Sequence, residues 1–387
     1  MGHVNTIFNQ LLALIPRNKF DRLVKEYRAD RYVKRMNTYN QMAVMLYAQA
    51  TGKDSLRDIE TSLITHQRKL YHLGIRSISR STLADANARC DYHLYESLFY
   101  EILKRCKDLT PKHKFKFKNP LYSLDATVID LVLSLYPWAR FRKTKGAIKL
   151  HCLLNHDGYL PEFITVTKGN RHEIDVARNR VFFLPDSIVS IDRGYLDFSF
   201  LDSLNKQGVW FVTRAKRNMA FNVTGQHTIK TKNVIFDVAI ELVHYVSRKQ
   251  YPEKMRLIAY YDKEQSKYLF FLTNNFALSA RTIADIYKSR WQIELFFKWI
   301  KQNLKIKSFL GTSKNAVMSQ IWIAMIYYLL LCYIKYQTKY RYPLLTLNRV
   351  LAESLLFRAS LIDMLSLKMV AIKKLKPDPD AQPSLFD

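Results

Sequence analysis

The sequence predicts an α/β protein, with a mixed-sheet domain preceded by an all-helical region and interrupted by a β-rich insertion. Three observations carry this reading. Apolar residues recur at helical spacing through the first 115 or so positions. From about residue 119, β-branched apolar runs alternate with helical stretches, the pattern of a mixed sheet. Between about 216 and 275 that rhythm gives way to short β-rich segments joined by polar turns.

In the N-terminal region, NTIFNQLLALI, FDRLVKEY and NQMAVMLYAQATG each place apolar residues on one helical face, and Gly52 is a natural stop for the third. Residues 55–72 predict a further helix, ended near Gly74. SISRSTLADANARCD offers Ser79, Ser81 and Thr82 as N-caps, and the helix it opens would carry Arg80, Asn87 and Arg89. Two helices around a glycine turn are compatible with a helix-turn-helix DNA reader, although any helical hairpin shares the pattern. Next, NPLYSLDATVIDLVLSLY reads as a strand, followed by the basic loop WARFRKTKGAIK. KLHCLLNHDGYLPEFITVT reads as two strands joined at Asn155–Gly158. GNRHEIDVARNRVFF predicts a helix, DSIVSIDRGY a short buried strand, LDFSFLDSLNKQG a helix and VWFVTRAK a strand. After the insertion, helices resume near 279 and run to about 365. IWIAMIYYLLLCYI at 321–334 is too short to span a bilayer and predicts a buried helix. The tail from 366 to 387 has three prolines and no apolar period, so disorder is expected there. The expected division is a helical DNA-binding domain at 1–115, a mixed-sheet domain at 116–365 and the tail.

Composition narrows the partner. Lys and Arg number 61 against 33 Asp and Glu, a formal net charge of +28. Such an excess repels itself in a compact chain unless a polyanion screens it, and nucleic acid is the usual one. A ribosome-associated or membrane-surface protein is the plainer alternative. Cys90, Cys106, Cys152 and Cys332 are too scattered for a zinc finger and fit a reducing cytoplasm. The N-terminus lacks the basic and small-residue features of a signal peptide, and no membrane association is expected.

The chemistry lies in carboxylates. On a helix spanning about 280–304, Tyr287, Arg290, Glu294, Lys298 and Lys301 share a stripe roughly 80° wide. Leu295, Phe296, Trp299 and Ile300 point elsewhere and can pack. A solvated face is the ordinary reading of such a stripe, but one glutamate among cations also suits a metal ion and its phosphate. Asp125 sits inside the apolar run SLDATVIDL, and Asp192 ends SIVSID. Buried carboxylates are costly unless paired or bound to metal. Two aspartates and a glutamate make an all-oxygen set suited to Mg2+ or Mn2+, and two such ions can serve phosphoryl transfer. Asp130 and Asp197 are structural or solvent-facing by the same reading. Arg140, Arg142, Lys143, Lys145 and Lys149 could track a DNA backbone, and Asn170 or His172 could meet a phosphate or cap a turn.

YKSRWQIELFFKWIK carries Tyr-x2-Arg-x3-Glu-x6-Lys and resembles the signature of the insertion-sequence-4 family of DDE transposases. SLDATVIDL and SIDRGYLDF resemble that family's two aspartate regions, so the likeness spans about residues 119–335. The resemblance implies an RNase H-like core and cut-and-paste excision and insertion of a mobile element, with a hairpin formed on its end. It implies that Asp125, Asp192 and Glu294 bind two Mg2+ ions, with Mn2+ as substitute. Tyr287, Arg290 and Lys301 would hold phosphates near the element's end. The DNA partners implied are the terminal inverted repeats and the target, met by a homodimer on DNA. Some relatives stack a tryptophan of the insertion on a flipped base; with no Trp between Trp210 and Trp291, Tyr268 is the expected substitute. The rivals are an RNase H-like nuclease without transposition and a catalytically silent DNA-binding protein. Finally, Gln382, Leu385 and Phe386 in QPSLF resemble the short peptide by which many bacterial proteins bind the replication sliding clamp.

Overall fold

A computed structural model describes residues 5–366 apart from positions 74, 76, 77, 230, 305, 307 and 308. The first helices are α1 (Ile7–Ala13), α2 (Arg17–Glu26), α3 (Thr38–Ala50), α4 (Leu56–Thr65), α5 (Gln67–Leu70), α6 (Arg80–Arg89) and α7 (Tyr92–Lys107). Thr6, Asn37, Ser55, Ser79 and Asp91 each accept a hydrogen bond from a backbone N–H of the turn they cap. Caps of this kind satisfy donors that a helix start leaves open. The single helix expected over 55–72 is divided at His66, whose φ of −105° and ψ of 15° depart from helical values. The stop expected at Gly74 lies outside the described residues.

The helix-turn-helix expectation needs one correction. Arg80 and Arg89 of α6 are exposed, but Asn87 is buried. Its Oδ1 accepts from Gln41 Nε2 at 2.8 Å and its backbone carbonyl accepts from Asn315 Nδ2 at 3.1 Å. Asn87 therefore joins α6 to α3 and to Asn315, and it cannot read a base edge from that position.

Among the described residues nine strands form one sheet: β1 (Leu121–Leu131), β2 (Gly146–Asn155), β3 (Leu160–Lys168), β4 (Ile188–Ile191), β5 (Trp210–Arg214), β6 (Phe221–Gln226), β7 (Val234–Leu242), β8 (Met255–Asp262) and β9 (Lys267–Thr273). Their order is β3-β2-β1-β4-β5-β9-β8-β7-β6. β4 runs parallel to both β1 and β5, and every other pairing is antiparallel. The β-rich insertion thus continues the main sheet, because β9 returns to pair with β5. The connections include α8 (Glu173–Arg180), α9 (Phe198–Lys206) and α10 (Tyr245–Gln250). Tyr159 and Gly158 turn the chain between β2 and β3 at positive φ, and a Cβ on Gly158 would lie 2.6 Å from Thr110 Cγ2. Only glycine meets both demands.

After the sheet come α11 (Ala280–Ser289), α12 (Trp291–Asn303), α13 (Lys314–Gln337), α14 (Leu344–Ser354) and α15 (Leu361–Ser366). The 14-residue apolar run becomes part of the 24-residue α13. By length and composition α13 could cross a membrane, but 94% of its apolar window is buried inside the protein. It packs against α3, α6, α7 and α14, with Trp322 and Tyr327 fully buried. One apolar core joins these helices to the α12 side of the sheet. A second fills the opposite face, under α9 and the inner strands.

Two buried imidazoles give the fold a pH dependence. His151 donates or accepts at Thr167 Oγ1 (2.9 Å), and His156 does so at Ser123 Oγ (2.8 Å). Burial pushes both down to about 4, aided by Lys149 and Arg180 for His151 and by His113 for His156. Their folded values lie below the ordinary 6.5 or so, so the unfolded chain takes up protons first as pH falls. Stability from these groups is present above about pH 6.5 and lost as pH falls toward 4, on the order of 3 kcal/mol for each. Urea unfolding at pH 7 and pH 5 should show a smaller loss in His156→Gln than in wild type; equal losses would contradict this origin.

Candidate active site

The sheet register brings the two aspartates side by side. β1 and β4 pair in parallel up to Leu124↔Ile191, so the next residues along both strands are Asp125 and Asp192. β4 ends at Ile191, and Asp192 opens a tight turn in which its Oδ2 accepts from Gly194 N at 3.2 Å. Asp125 Oδ1 accepts from Ala126 N at 2.8 Å. Glu294 stands in the first turn of α12, where the helix dipole favours a negative charge.

The helix expected over 280–304 is two helices meeting at Arg290. The junction is tightened by i→i−3 bonds from Arg290 N to Tyr287 O (3.1 Å) and from Ile293 N to Arg290 O (3.0 Å). This places the Arg290 side chain among the three carboxylates. Nη1 donates to Asp125 Oδ2 at 3.0 Å, and Nη2 donates to Glu294 Oε1 at 2.6 Å and lies 3.9 Å from Asp192 Oδ1. Tyr287 Oη reaches Asp192 Oδ1 at 3.5 Å, and its ring packs 5.2 Å from Phe271. Burial pushes the Asp125 carboxyl up to about 6 against the pull of Ala126 N–H and Arg290, and the carboxylates of Glu173 and Asp192 push it further. Burial alone would lower Arg290, but Asp125, Glu294 and Asp192 outweigh it and hold its value above the ordinary one.

The donor set is all carboxylate, faces one centre and already gathers one cation there. That chemistry fits a hard divalent ion. As the side chains stand, no group of three or more His, Cys, Asp or Glu among the described residues forms a cage that could hold a metal. Arg290 occupies the space between them.

Comparison with known proteins decides the family. The transposase DDE domain family matches residues 116–330, more than half of the chain. The chain belongs to the DDE-domain transposases. A domain of unknown function, DUF4372, matches residues 3–76. The transposase is 29% identical over 272 residues to one assigned to insertion sequence IS5377 of Geobacillus stearothermophilus, covering 69% of this chain and 70% of that one. It is 32% identical over 254 residues to the transposase-type protein y4zB of Sinorhizobium fredii, covering 64% and 69%. It is 24% identical over 284 residues to one assigned to insertion sequence IS4SA of a Synechocystis strain, covering 70% and 76%. A solved piggyBac transposase synaptic complex with hairpin DNA superimposes with a TM-score of 0.44 at 9% identity, over 89% of this chain and 77% of that one.

The other singled-out residues of the transposase divide by position. Lys298 is exposed on α12 and has no ion pair among the described residues. Lys301 Nζ donates to Val128 O at 2.8 Å and so ties α12 to β1. In the loop before β2, Arg140, Arg142, Lys143 and Lys145 are all exposed. Lys145 pairs with Asp130 at 3.0 Å, and Arg142 covers the Phe141 ring. Lys149 is instead half-buried, bound to Arg171 O and Glu173. Asp197 caps α9 and pairs with Arg178, while Asn170 and His172 are exposed. Gln382, Leu385 and Phe386 lie outside the described residues.

Tyr268 is exposed, on the face of the sheet away from α11. Strand alternation puts Leu269 and Phe271 on the α11 side of β9, while Tyr268 faces away and packs on Tyr261, 5.0 Å between rings. A cavity of about 440 Å3 opens beside Arg290 on the α11 side, lined by Arg214, Lys267, Lys288 and Trp291 together with Asp262 and Glu264. Its exposed aromatic is Trp291, the residue next to Arg290, which periodicity in one continuous helix did not single out. Leu295, expected in the core, is likewise exposed, one turn on from Trp291. Glu173 was also not expected near the site; it lies on the helix that follows β3 and is felt by Asp125.

Proposed function

We propose that this chain is a cut-and-paste transposase of an insertion sequence and that Asp125, Asp192 and Glu294 hold the divalent ions for its phosphodiester chemistry. The observation that carries the reading is the convergence of these three carboxylates, from β1, the end of β4 and α12, on one cationic centre. Two divalent ions bound there, Mg2+ or its substitute Mn2+, would supply Lewis acidity to the attacking and leaving oxygens. The chain's own groups then position the DNA. Arg290 and Tyr287 stand beside the carboxylates and offer donors to a phosphate, Lys298 and Lys301 continue along α12, and Arg140, Arg142, Lys143 and Lys145 extend the basic surface. The strand order β3-β2-β1-β4-β5, antiparallel then parallel, supports an RNase H-like core. The Tyr–Arg–Glu–Lys spacing supports membership of the insertion-sequence-4 group.

The same reading extends to a hairpin intermediate, a homodimer on the inverted repeats, recognition of those ends by residues 1–115 and a cytoplasmic, nucleoid-associated location. Trp291, exposed on the cavity beside Arg290, stands beside the exposed Tyr268 as a second aromatic that we assign to an unpaired base. The tail residues Gln382, Leu385 and Phe386 keep their assignment to the sliding clamp from the sequence motif alone. The test is cleavage of a duplex bearing the element's end. Strand cuts at the end with Mg2+ or Mn2+, abolished by chelator, and joining of that end to a second duplex are expected. Cutting without joining would favour the nuclease alternative, and no cutting the DNA-binding one.

A further inference from the structure

We infer that Arg290 is a positioning residue that keeps the place of the divalent ions: its guanidinium gathers Asp125, Asp192 and Glu294 and has to leave their centre before the ions enter. This rests on the reading of those three residues as metal ligands. The guanidinium is hydrogen-bonded to two of the carboxylates and 3.9 Å from the third, and its side chain is only 13% exposed. Three carboxylates gathered around one guanidinium repel one another, although the part-exposure of Asp192 and Glu294 lets water screen some of it. Arg290 supplies the positive charge that holds them convergent. Its planar fork lets one side chain serve two carboxylates from different elements, which a lysine ammonium does less well.

The same contacts oppose metal binding. Asp125 Oδ2 and Glu294 Oε1, oxygens that a shared ion would need, accept from the guanidinium, which lies between the three carboxylates. Arg290 borders the cavity lined by Arg214, Lys267, Lys288 and Trp291 and by the carboxylates of Asp262 and Glu264, which gives its side chain a direction of departure. Lys288 is paired there with Asp262 at 3.3 Å, while Arg214 and Lys267 have no ion pair among the described residues. The guanidinium has the Asp262 and Glu264 carboxylates to turn toward there as well as cations to avoid, and an anion such as a DNA phosphate entering beside Arg214 and Lys267 would add to the pull. Ion and phosphate therefore favour the same rearrangement, and each should promote the other.

Competition of this kind makes a prediction that a structural arginine does not. Full-length wild type, Arg290→Gln and Arg290→Lys are titrated with Mn2+ in the absence of DNA, and free Mn2+ is read by electron paramagnetic resonance. Arg290→Gln should bind Mn2+ about tenfold more tightly than wild type, with Arg290→Lys between them. The gain should vanish when Glu294→Gln is added. Circular dichroism checks that each variant is folded; if Arg290→Gln is not, a gain of about threefold in Arg290→Lys carries the test. Unchanged or weaker Mn2+ binding in the folded variants, with wild-type binding still dependent on Glu294, overturns the inference and leaves the metal ligands standing. Mn2+ binding indifferent to both Glu294→Gln and Asp125→Asn overturns the ligand assignment itself.

Discussion

Each of Asp125→Asn, Asp192→Asn and Glu294→Gln should lower DNA strand cleavage by about a thousandfold or more, equivalent to some 4 kcal/mol of transition-state stabilisation. The substitutions keep the shape of the side chain and remove its charge. Asp125 and Asp192 lie at neighbouring positions of parallel strands, and Glu294 approaches from α12, so none can replace another. Folding should survive, because each variant leaves Arg290 at least one carboxylate partner and removes a negative charge from a crowded site. DNA affinity should hold or rise slightly, since a carboxylate facing the phosphates is lost. Single-turnover cleavage and filter binding of the same end DNA separate these effects. Wild-type cleavage by any one variant removes that residue from the site.

The second large effect is on stability. Arg256 and Asp237 form a bidentate pair at 2.8 and 2.7 Å between β8 and β7, with side chains 5% and 4% exposed. Arg256 Nη1 also donates to Asn275 O at 3.1 Å and Leu278 O at 2.6 Å, just before Ser279 caps α11. Arg256→Ala leaves a buried carboxylate and two carbonyls without their donor, a loss of about 3–5 kcal/mol. The apolar double replacement Arg256→Met with Asp237→Leu should recover much of it, because it removes the stranded charge as well. Denaturant midpoints of the two proteins measure the difference. A loss below about 1 kcal/mol in Arg256→Ala would show that the pair is not buried as described. Because the pair anchors the entry to α11, the single variant should also blunt cleavage when assayed under folded conditions.

Local pattern accounts for how much of this was legible. Asp125 and Asp192 stood out because a carboxylate in an apolar strand run is costly, and that cost is visible one strand at a time. Their adjacency was not, since it depends on the parallel register of β1 with β4, set by residues far apart in the chain. The Tyr287–Lys301 stripe was read from helical period, but the break at Arg290 was not, because no proline or glycine marks it. That break turns Arg290 into the carboxylates and leaves Trp291 and Leu295 exposed. The insertion's strands were legible from their composition; their fusion with the main sheet through β5 and β9 is a long-range pairing. The face that Tyr268 takes was not legible, because the facing of a strand residue needs its register, and one step reverses the side. Asn87 looked like a surface reader because its buried partner, Gln41, comes from another helix.

The most direct measurement of the central claim is to let the ion report its own position. Fe2+ is supplied in place of Mg2+, with ascorbate and peroxide, so that radicals formed at the bound ion cut the nearby polypeptide. Fragments ending close to residues 125, 192 and 294 are expected, suppressed by excess Mg2+ and absent in Glu294→Gln. Cuts confined to other parts of the chain, or cuts at these positions that persist in Glu294→Gln, would contradict the assignment of Asp125, Asp192 and Glu294 as a shared metal site.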